Sequence, residues 1–310
     1  MNNLIDEGIV MKKKYRLLVF EGGGIFAASS AHFLSFLPEE QQNLNKVDAI
    51  GGCSAGGLLA SAYATGHSFS LIDTVFQRRA KECFTKRCCA RINPFANPTY
   101  RSDTFEKVVQ EMIGDNTVGD IKKYYPELKY IVPALDVTND ELIVFNNFSG
   151  TFDDVKLVDV SMFTSAAPSY FEGRAFYGNC IADAGVIDVQ GVITAACELK
   201  NMLGIQFQDM NVLVIGTGED VDPNPLTLER YNNLSLLGLA TDFLVPYTVF
   251  SNKMWSKRIC NALGFNYYCY FNPLKIDGKL DDYKQIPDLV KQADKYREDF
   301  LNVWNYWLTL

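Results

Sequence analysis

The chain has 310 residues, 48% of them hydrophobic and 21% charged, the balance of an ordinary globular protein with enough material for a full core. Its net charge of −8 gives a nucleic-acid partner no support, and no apolar run reaches the roughly 18–20 residues of a bilayer-spanning helix. Lys12, Lys13 and Lys14 are not followed by the apolar stretch and small-residue cleavage site of a secretory signal. The expected location is therefore the cytoplasm or, peripherally, a membrane surface; export without a signal peptide is compatible with the same sequence.

Residues 15–20 (YRLLVF) are predicted as a strand ending in Glu21-Gly22-Gly23-Gly24, and residues 25–37 as a mostly buried helix stopped by Pro38. A second short strand is expected at 47–50, a glycine-rich turn at 51–57 and a helix at 58–65. Helices follow at 71–83 and 104–113, around a loop at 92–101 that carries Pro94 and Pro98. Strands at 128–135 and 141–148 flank the turn Thr138-Asn139-Asp140. Helices at 155–163 and 190–203 precede a buried strand at 211–215, which ends at Gly216-Thr217-Gly218. From about Leu226 the chain reads as helical and rich in aromatics. Strands alternating with helices predict an α/β fold with a mostly parallel sheet flanked by helices. With no repeat, low-complexity tract or linker, one domain over residues 1–310 is expected.

Eight cysteines are scattered along the chain without a C-x-x-C pair, and only two histidines exist. A Cys/His zinc site is hard to assemble from these, and vicinal Cys88-Cys89 is a poor disulfide. Reduced thiols and no metal or organic cofactor are the expectation.

Gly52-Cys53-Ser54-Ala55-Gly56, between a strand and a helix, has the G-x-S-x-G pattern of a nucleophile elbow. A sharp turn needs small neighbours around the serine, and a helix N-terminus just behind it favours a developing oxyanion. Both histidines, His32 and His67, lie in the first 70 residues, so no histidine follows the candidate acids and the usual Ser–acid–His order is excluded. His67 comes 13 residues after Ser54, on the order of 20 Å along the intervening helix at about 1.5 Å per residue. His32 reads as a packed or surface residue. The base for Ser54 must be a carboxylate or an amine. Asp136, Asp183, Asp188 and Asp220 all follow strands or turns, and spacing does not choose among them.

Gly22, Gly23 and Gly24 offer consecutive backbone N–H groups, suited to an oxyanion hole or a phosphate cradle. Gly22, Gly24 and Ala27 also fit a dinucleotide fingerprint, but the second strand does not end in an acid for a ribose; only Glu39 and Glu40 lie near that offset. No phosphate-binding G-x-x-x-x-G-K-[ST] loop occurs.

The order of Gly22-Gly23-Gly24, Gly52-Cys53-Ser54-Ala55-Gly56, Thr164-Ser165-Ala166-Ala167-Pro168, Ala182-Asp183-Ala184-Gly185 and Val214-Ile215-Gly216-Thr217-Gly218 resembles the patatin-like phospholipase family over about residues 15–218. The resemblance implies a patatin-like three-layer α/β sandwich with a Ser-Asp dyad: Ser54 as nucleophile, Asp183 as its base. It implies oxyanion donors from the Gly22, Gly23 and Gly24 loop, and a phospholipid or other acyl-ester lipid as substrate. The implied activity is lipid acyl hydrolysis, of phospholipase A or esterase type, through an acyl-enzyme. Activity is then expected to fall as Asp183 protonates at low pH, with no histidine-like step near pH 6–7.

Two positions depart from the family pattern. Phe26 stands where a basic residue is usual, and Ala184 where glycine is usual; a left-handed backbone at Ala184 would be penalised by its Cβ and displace Asp183. These departures keep a second reading open, a catalytically inactive patatin-like module that binds lipid or a partner. The basic stretch 78–91 and the aromatic stretches 243–271 and 300–308 suggest peripheral membrane contact, against a solvated helix face and core packing.

Overall fold

The computed structural model describes residues 14–87, 98–220, 227–235 and 245–310, with the backbone alone for seven of these: residues 220, 230, 245–247, 249 and 250. Lys12, Lys13, Cys88, Cys89, Pro94 and Leu226, named above, lie outside the described residues, as do residues 88–91 of the basic stretch and residues 243–244 of the aromatic one.

The α-helices among the described residues, in chain order, are α1 (Ala27–Ser35), α2 (Ala55–Ala64), α3 (Phe69–Cys83), α4 (Ser102–Ile113), α5 (Ile121–Tyr124), α6 (Leu157–Thr164), α7 (Gly185–Asp188), α8 (Val192–Leu203), α9 (Leu228–Asn232), α10 (Val245–Leu263), α11 (Ile286–Asp294) and α12 (Arg297–Thr309). The strands are β1 (Tyr15–Phe20), β2 (Ala49–Gly52), β3 (Lys129–Asp136), β4 (Glu141–Asn146), β5 (Arg174–Phe176), β6 (Asn179–Ala182), β7 (Met210–Ile215), β8 (Glu219–Asp220), β9 (Tyr267–Phe271) and β10 (Lys275–Ile276).

The main sheet runs β5-β6-β3-β2-β1-β7-β9, with β4 also on β3; β8 and β10 form a separate pair. Pairing is parallel from β3 through β2, β1 and β7 to β9, and antiparallel for β4, β5 and β6. Strand β1 is apolar on both sides because both faces of the sheet are covered. Leu18 and Phe20 pack with α1, α2 and α12, whereas Leu17 and Val19 pack with α8 and Cys260 of α10. This two-residue alternation between two buried clusters gives the fold its helix–sheet–helix layers.

The last third is not all helical, as its sequence suggests. Tyr267-Tyr268-Cys269-Tyr270-Phe271 forms β9, which extends the parallel sheet beside β7. Tyr267, Cys269 and Phe271 face one cluster, Tyr268 and Tyr270 the other, so these aromatics serve as strand residues packed on two sides. The β5–β6 hairpin was also not foreseen; its two-residue turn places Tyr177 (φ 48°) and Gly178 (φ 88°) in the left-handed region. Strand β2 extends through Gly51 and Gly52, and α2 starts at Ala55, so the glycine-rich turn is shorter than expected.

The aromatic C-terminal stretch is core. Phe300 stacks on Phe33 at 5.5 Å, Trp304 and Trp307 are buried, and the Trp307 indole N–H donates to the Asn211 carbonyl at 2.9 Å. Part of the basic stretch is met by acids: Arg79 pairs with Glu82 and Glu111, and Arg87 with Glu172. The six described cysteines are free thiols. Among the described residues no helix is long and apolar enough to cross a membrane.

His32 is a bridge between helices. Its Nδ1 lies 2.9 Å from Asp73 of α3 and its Nε2 3.1 Å from Asp294 of α11. Burial alone would lower its pKa, but the hydrogen bonds and charges of Asp73 and then Asp294 outweigh it and raise the value above 6.5. A raised folded value means that the ionic part of the bridge is fully present below about pH 6.5 and is lost as pH rises through the folded pKa. His32→Ala is expected to cost about 1–3 kcal/mol, with a larger loss of Tm at pH 5.5 than at pH 8. Equal losses at the two pH values would remove the charge from the explanation.

Candidate active site

Strand β3 has two edges, and β4 occupies one over residues 131–136. On the other edge, β2 pairs with residues 129–131 and β6 with Leu135 and Asp136. β2 is parallel to β3 and β6 antiparallel, so their C-terminal ends approach head-on across the unpaired residues 132–134. Ser54 follows the end of β2, and Asp183 follows the end of β6. The sheet topology itself brings the two together.

Ser54 has φ 55° and ψ −129°, a conformation that costs a non-glycine residue on the order of 1–3 kcal/mol. Its N–H donates to the Thr164 hydroxyl at 3.0 Å, and its carbonyl accepts from Leu58 N–H at 3.1 Å. Gly56 lets the start of α2 press on β1, since a Cβ there would lie 2.1 Å from the Phe20 carbonyl oxygen. The strained strand-to-helix turn thus follows from backbone packing as well as from the serine's own conformation.

Asp183 is 4% exposed. Its N–H donates to the Ala166 carbonyl at 3.1 Å, which ties the turn to the Ser-Ala-Ala-Pro segment. Its carboxylate accepts from Gly185 N–H at 2.7 Å and lies 3.8 Å from the Cys53 thiol. Burial pushes its pKa up to about 6, and the hydrogen bonds from the Ser54 side chain, Gly185 N–H and Cys53 only partly oppose it. The carboxyl therefore titrates near pH 6, inside the range in which the sequence-based expectation placed no step. The Ala184 expectation is corrected too: its backbone is right-handed (φ −75°, ψ −3°), so its Cβ carries no conformational penalty.

The other acids have different tasks. Asp136 accepts from the N–H groups of Thr138 and Asn139, and Asp188 from Gly191 and Thr194 at the start of α8. Asp220 lies in β8, away from the main sheet. His67 lies beyond the C-terminal end of α2, and His32 is committed to its bridge.

The glycine loop divides its donors. Gly22 N–H is spent on the Val189 carbonyl at 2.8 Å, and Ile25 N–H on the Leu280 carbonyl at 2.9 Å. Among the described residues, the N–H groups of Gly23 and Gly24 have no acceptor, nor does that of Ala55 at the start of α2. Gly24 has φ +55°, and a Cβ there would lie 2.4 Å from the Leu280 carbonyl oxygen. Two of the three expected glycines therefore present open donors, and Ala55 adds a third whose signal was its place directly after the serine. Behind the loop, the fully buried Glu21 carboxylate accepts from Thr217 N–H at 2.9 Å and from the Tyr270 hydroxyl at 2.9 Å, and lies 3.6 Å from Lys253 Nζ. Sequence reading gave Glu21 no role, since its partners come from distant segments.

Ser54 and Asp183 line a cavity of about 470 Å³ whose walls are mostly apolar, with Phe76 of α3, Phe84 directly after it, and Phe105, Val108 and Met112 of α4. Phe26 is 1% exposed and forms part of that wall, so the family's usual cation is replaced by hydrocarbon. Among the described lining residues Lys253 is the single cation. No three His, Cys, Asp or Glu side chains group as metal ligands among the described residues.

Comparison with known proteins finds relatives in sequence and structure. A cGAMP-activated phospholipase of Escherichia coli (strain TW11681) is 28% identical over 318 residues, covering 92% of this chain and 83% of that protein. A cGAMP-activated phospholipase of Vibrio cholerae serotype O1 is 27% identical, covering 70% and 68%. The structure of human GIVD cytosolic phospholipase A2 with methyl gamma-linolenyl fluorophosphonate and terbium chloride aligns with a TM-score of 0.46 at 11% identity, over 96% of this chain and 60% of that one. The family model for patatin-like phospholipases matches residues 18–195, more than half of the chain, and the protein belongs to the patatin-like phospholipase family.

Proposed function

We propose that the protein is a lipid acyl hydrolase in which Asp183 activates Ser54. Family membership supports lipid hydrolysis. The observation that carries the finer reading is the strained Ser54, with its side chain on a buried carboxylate, at an apolar cavity beside open backbone donors. In this reading the Asp183 carboxylate takes the Ser54 proton as Oγ attacks the ester carbonyl carbon. The N–H groups of Gly23, Gly24 and Ala55 hold the tetrahedral oxyanion. Collapse breaks the ester bond, and the departing alcohol takes the proton from Asp183. Water then attacks the acyl-enzyme, giving up one proton to Asp183, which returns it to Ser54 Oγ as the fatty acid leaves. The apolar walls suit an acyl chain, and the substrate is extended to phospholipid from the names of the relatives. The inactive-module reading rested on Phe26 and Ala184, and the right-handed Ala184 leaves Phe26 alone to support it.

Ser54→Ala and Asp183→Asn are each expected to lower hydrolysis of a short-chain acyl ester by roughly 10³-fold or more, measured alone and with cGAMP, the activator in both relatives' names. A fluorophosphonate probe should add to Ser54 by intact mass and not to the alanine variant. The reaction needs ionised Asp183, so kcat/KM should fall tenfold per unit as pH drops below about 6. Full activity in either variant, or no labelling under any of these conditions, would overturn the dyad.

The same raised pKa makes ionised Asp183 a cost to folding. Protonation-linked stability is present below about pH 4 and lost as pH rises through about 6. Asp183→Asn should therefore stabilise the fold at pH 7.5 by on the order of 2–3 kcal/mol, with the gain in Tm vanishing near pH 4. A less stable variant at pH 7.5 would contradict this.

Peripheral membrane contact is part of the proposal. Exposed Ile187 on α7 and Trp255 on α10 flank the Asn252–Val186 contact between these helices, and Val186 lines the cavity. The double variant Ile187→Asp, Trp255→Asp should sediment less with phospholipid vesicles while hydrolysing a soluble ester at the wild-type rate. Unchanged sedimentation would place the contact elsewhere.

A further inference from the structure

The residues that hold the site in place are not confined to the family-matched segment. Helix α10 lies beyond residue 195, and two consecutive side chains on it reach the loops that carry the site. Asn252 Nδ2 donates to the Val186 carbonyl at 2.9 Å and meets the Gly185 carbonyl at 3.5 Å, in the short α7 that follows Asp183 and Ala184. Lys253 Nζ donates to the Gly218 carbonyl at 3.3 Å and lies 3.6 Å from Glu21, the residue directly before Gly22.

The Lys253 contact passes into the glycine loop through a continuous set of bonds. Glu21 accepts from the Thr217 N–H and hydroxyl at 2.9 and 3.0 Å, and that hydroxyl also lies 3.1 Å from the Gly22 carbonyl oxygen. Gly22 in turn donates to Val189, just past α7. A fully buried carboxylate whose cation is removed must protonate, move or draw in water, and each response acts on the chain at Gly22. Asn252 fixes the far side of the same cavity, where the Asp183 turn runs into α7.

We infer that Asn252 and Lys253 form a clamp on α10 that sets the position of the open donors at Gly23 and Gly24 relative to Asp183. They are positioning residues for the acyl transfer proposed above, and the inference rests on that reading. Lys253 spends its charge on Glu21 and its hydrogen bond on Gly218, so its task is internal. Displacement of α10 then changes turnover more than substrate affinity, because the polar contacts of Asn252 and Lys253 go to backbone carbonyls and to Glu21 and not to the apolar side chains that would hold the chain.

The test compares Asn252→Ala, Lys253→Met, Lys253→Arg and the double variant Glu21→Gln, Lys253→Met, with a neutral soluble ester and an anionic phospholipid as substrates. Asn252→Ala and Lys253→Met are expected to lower kcat by about 10–100-fold on both substrates with KM within about threefold, the scale of a small misplacement of reacting groups. Lys253→Arg should retain more than about a third of kcat, and the double variant should exceed Lys253→Met because it leaves no buried charge unpaired. Hydrogen exchange read by mass spectrometry supplies a second readout that does not need turnover. The peptides holding Gly23 and Gly24 and holding Asp183 should exchange faster in Asn252→Ala, a substitution that leaves no charge behind and is the variant expected to fold if Lys253→Met does not. Unchanged kcat and unchanged exchange in Asn252→Ala would overturn the clamp. A loss confined to KM, or to the anionic substrate, would overturn it in favour of a headgroup-binding role for Lys253. If wild-type protein neither hydrolyses ester nor labels at Ser54, the dyad fails while faster exchange in Asn252→Ala still supports the clamp.

Discussion

The arrangement of the site depends on one shared strand edge. β2 and β6 occupy opposite ends of the same edge of β3 and run toward each other, leaving residues 132–134 unpaired between them. Pro133 stands in this gap, where the lack of an N–H takes nothing from a ladder on that side. The two strand ends cannot pair further, so each chain must turn away, and those turns carry Ser54 and Asp183. The hydroxyl and carboxylate are 129 positions apart in the sequence and adjacent in space because a single strand measures the distance between them.

Two of the buried carboxylates near this gap, Glu21 and Asp183, are handled in opposite ways. Glu21 accepts hydrogen bonds from Thr217 and Tyr270 and has Lys253 nearby, so its charge is met by structure. Among the described residues Asp183 has donors but no cation, and burial raises its pKa to about 6. A group held that way is still ionised at neutral pH but binds a proton far more readily than an ordinary carboxylate, the property that the base role proposed for it would need. The arrangement is costly to the fold, as is the strained backbone at Ser54, and both costs fall on the same few residues. The wide apolar core on both faces of β1 and β7 offsets them.

What could be read in the sequence was local. The G-x-S-x-G turn, the glycine loop and the alternation of strands with helices each lie within a few consecutive residues, where propensity and turn chemistry act directly. The choice of Asp183 over Asp136, Asp188 and Asp220 came from family pattern alone, since it depends on β6 meeting β3, a contact no local signal encodes. β9 was lost for a related reason. Its aromatics fit a strand packed on both faces, but their alternation is visible only once two separate clusters exist to receive them. The split of donors in the glycine loop was also hidden, because Val189 and Leu280 claim two N–H groups from 167 and 255 residues away.

Phe26 sharpens the physical question of how the oxyanion of the proposed reaction would be held. With hydrocarbon at that position and Lys253 turned to Glu21, no other cation lines the site among the described residues to meet negative charge on the substrate. Stabilisation then falls to fixed dipoles: the open N–H groups of Gly23 and Gly24, and Ala55 N–H with the first turn of α2 behind it. Dipoles of this kind work only if they are already aimed, because a misdirected N–H gains nothing from a charge it does not face. A loop that relies on aim rather than on net charge needs firm anchorage on both sides. On one side it is tied to Val189 and Leu280, and behind it stands Glu21 with its partners. The missing basic residue and the distant clamp on α10 are in this sense two consequences of one design, in which geometry replaces charge.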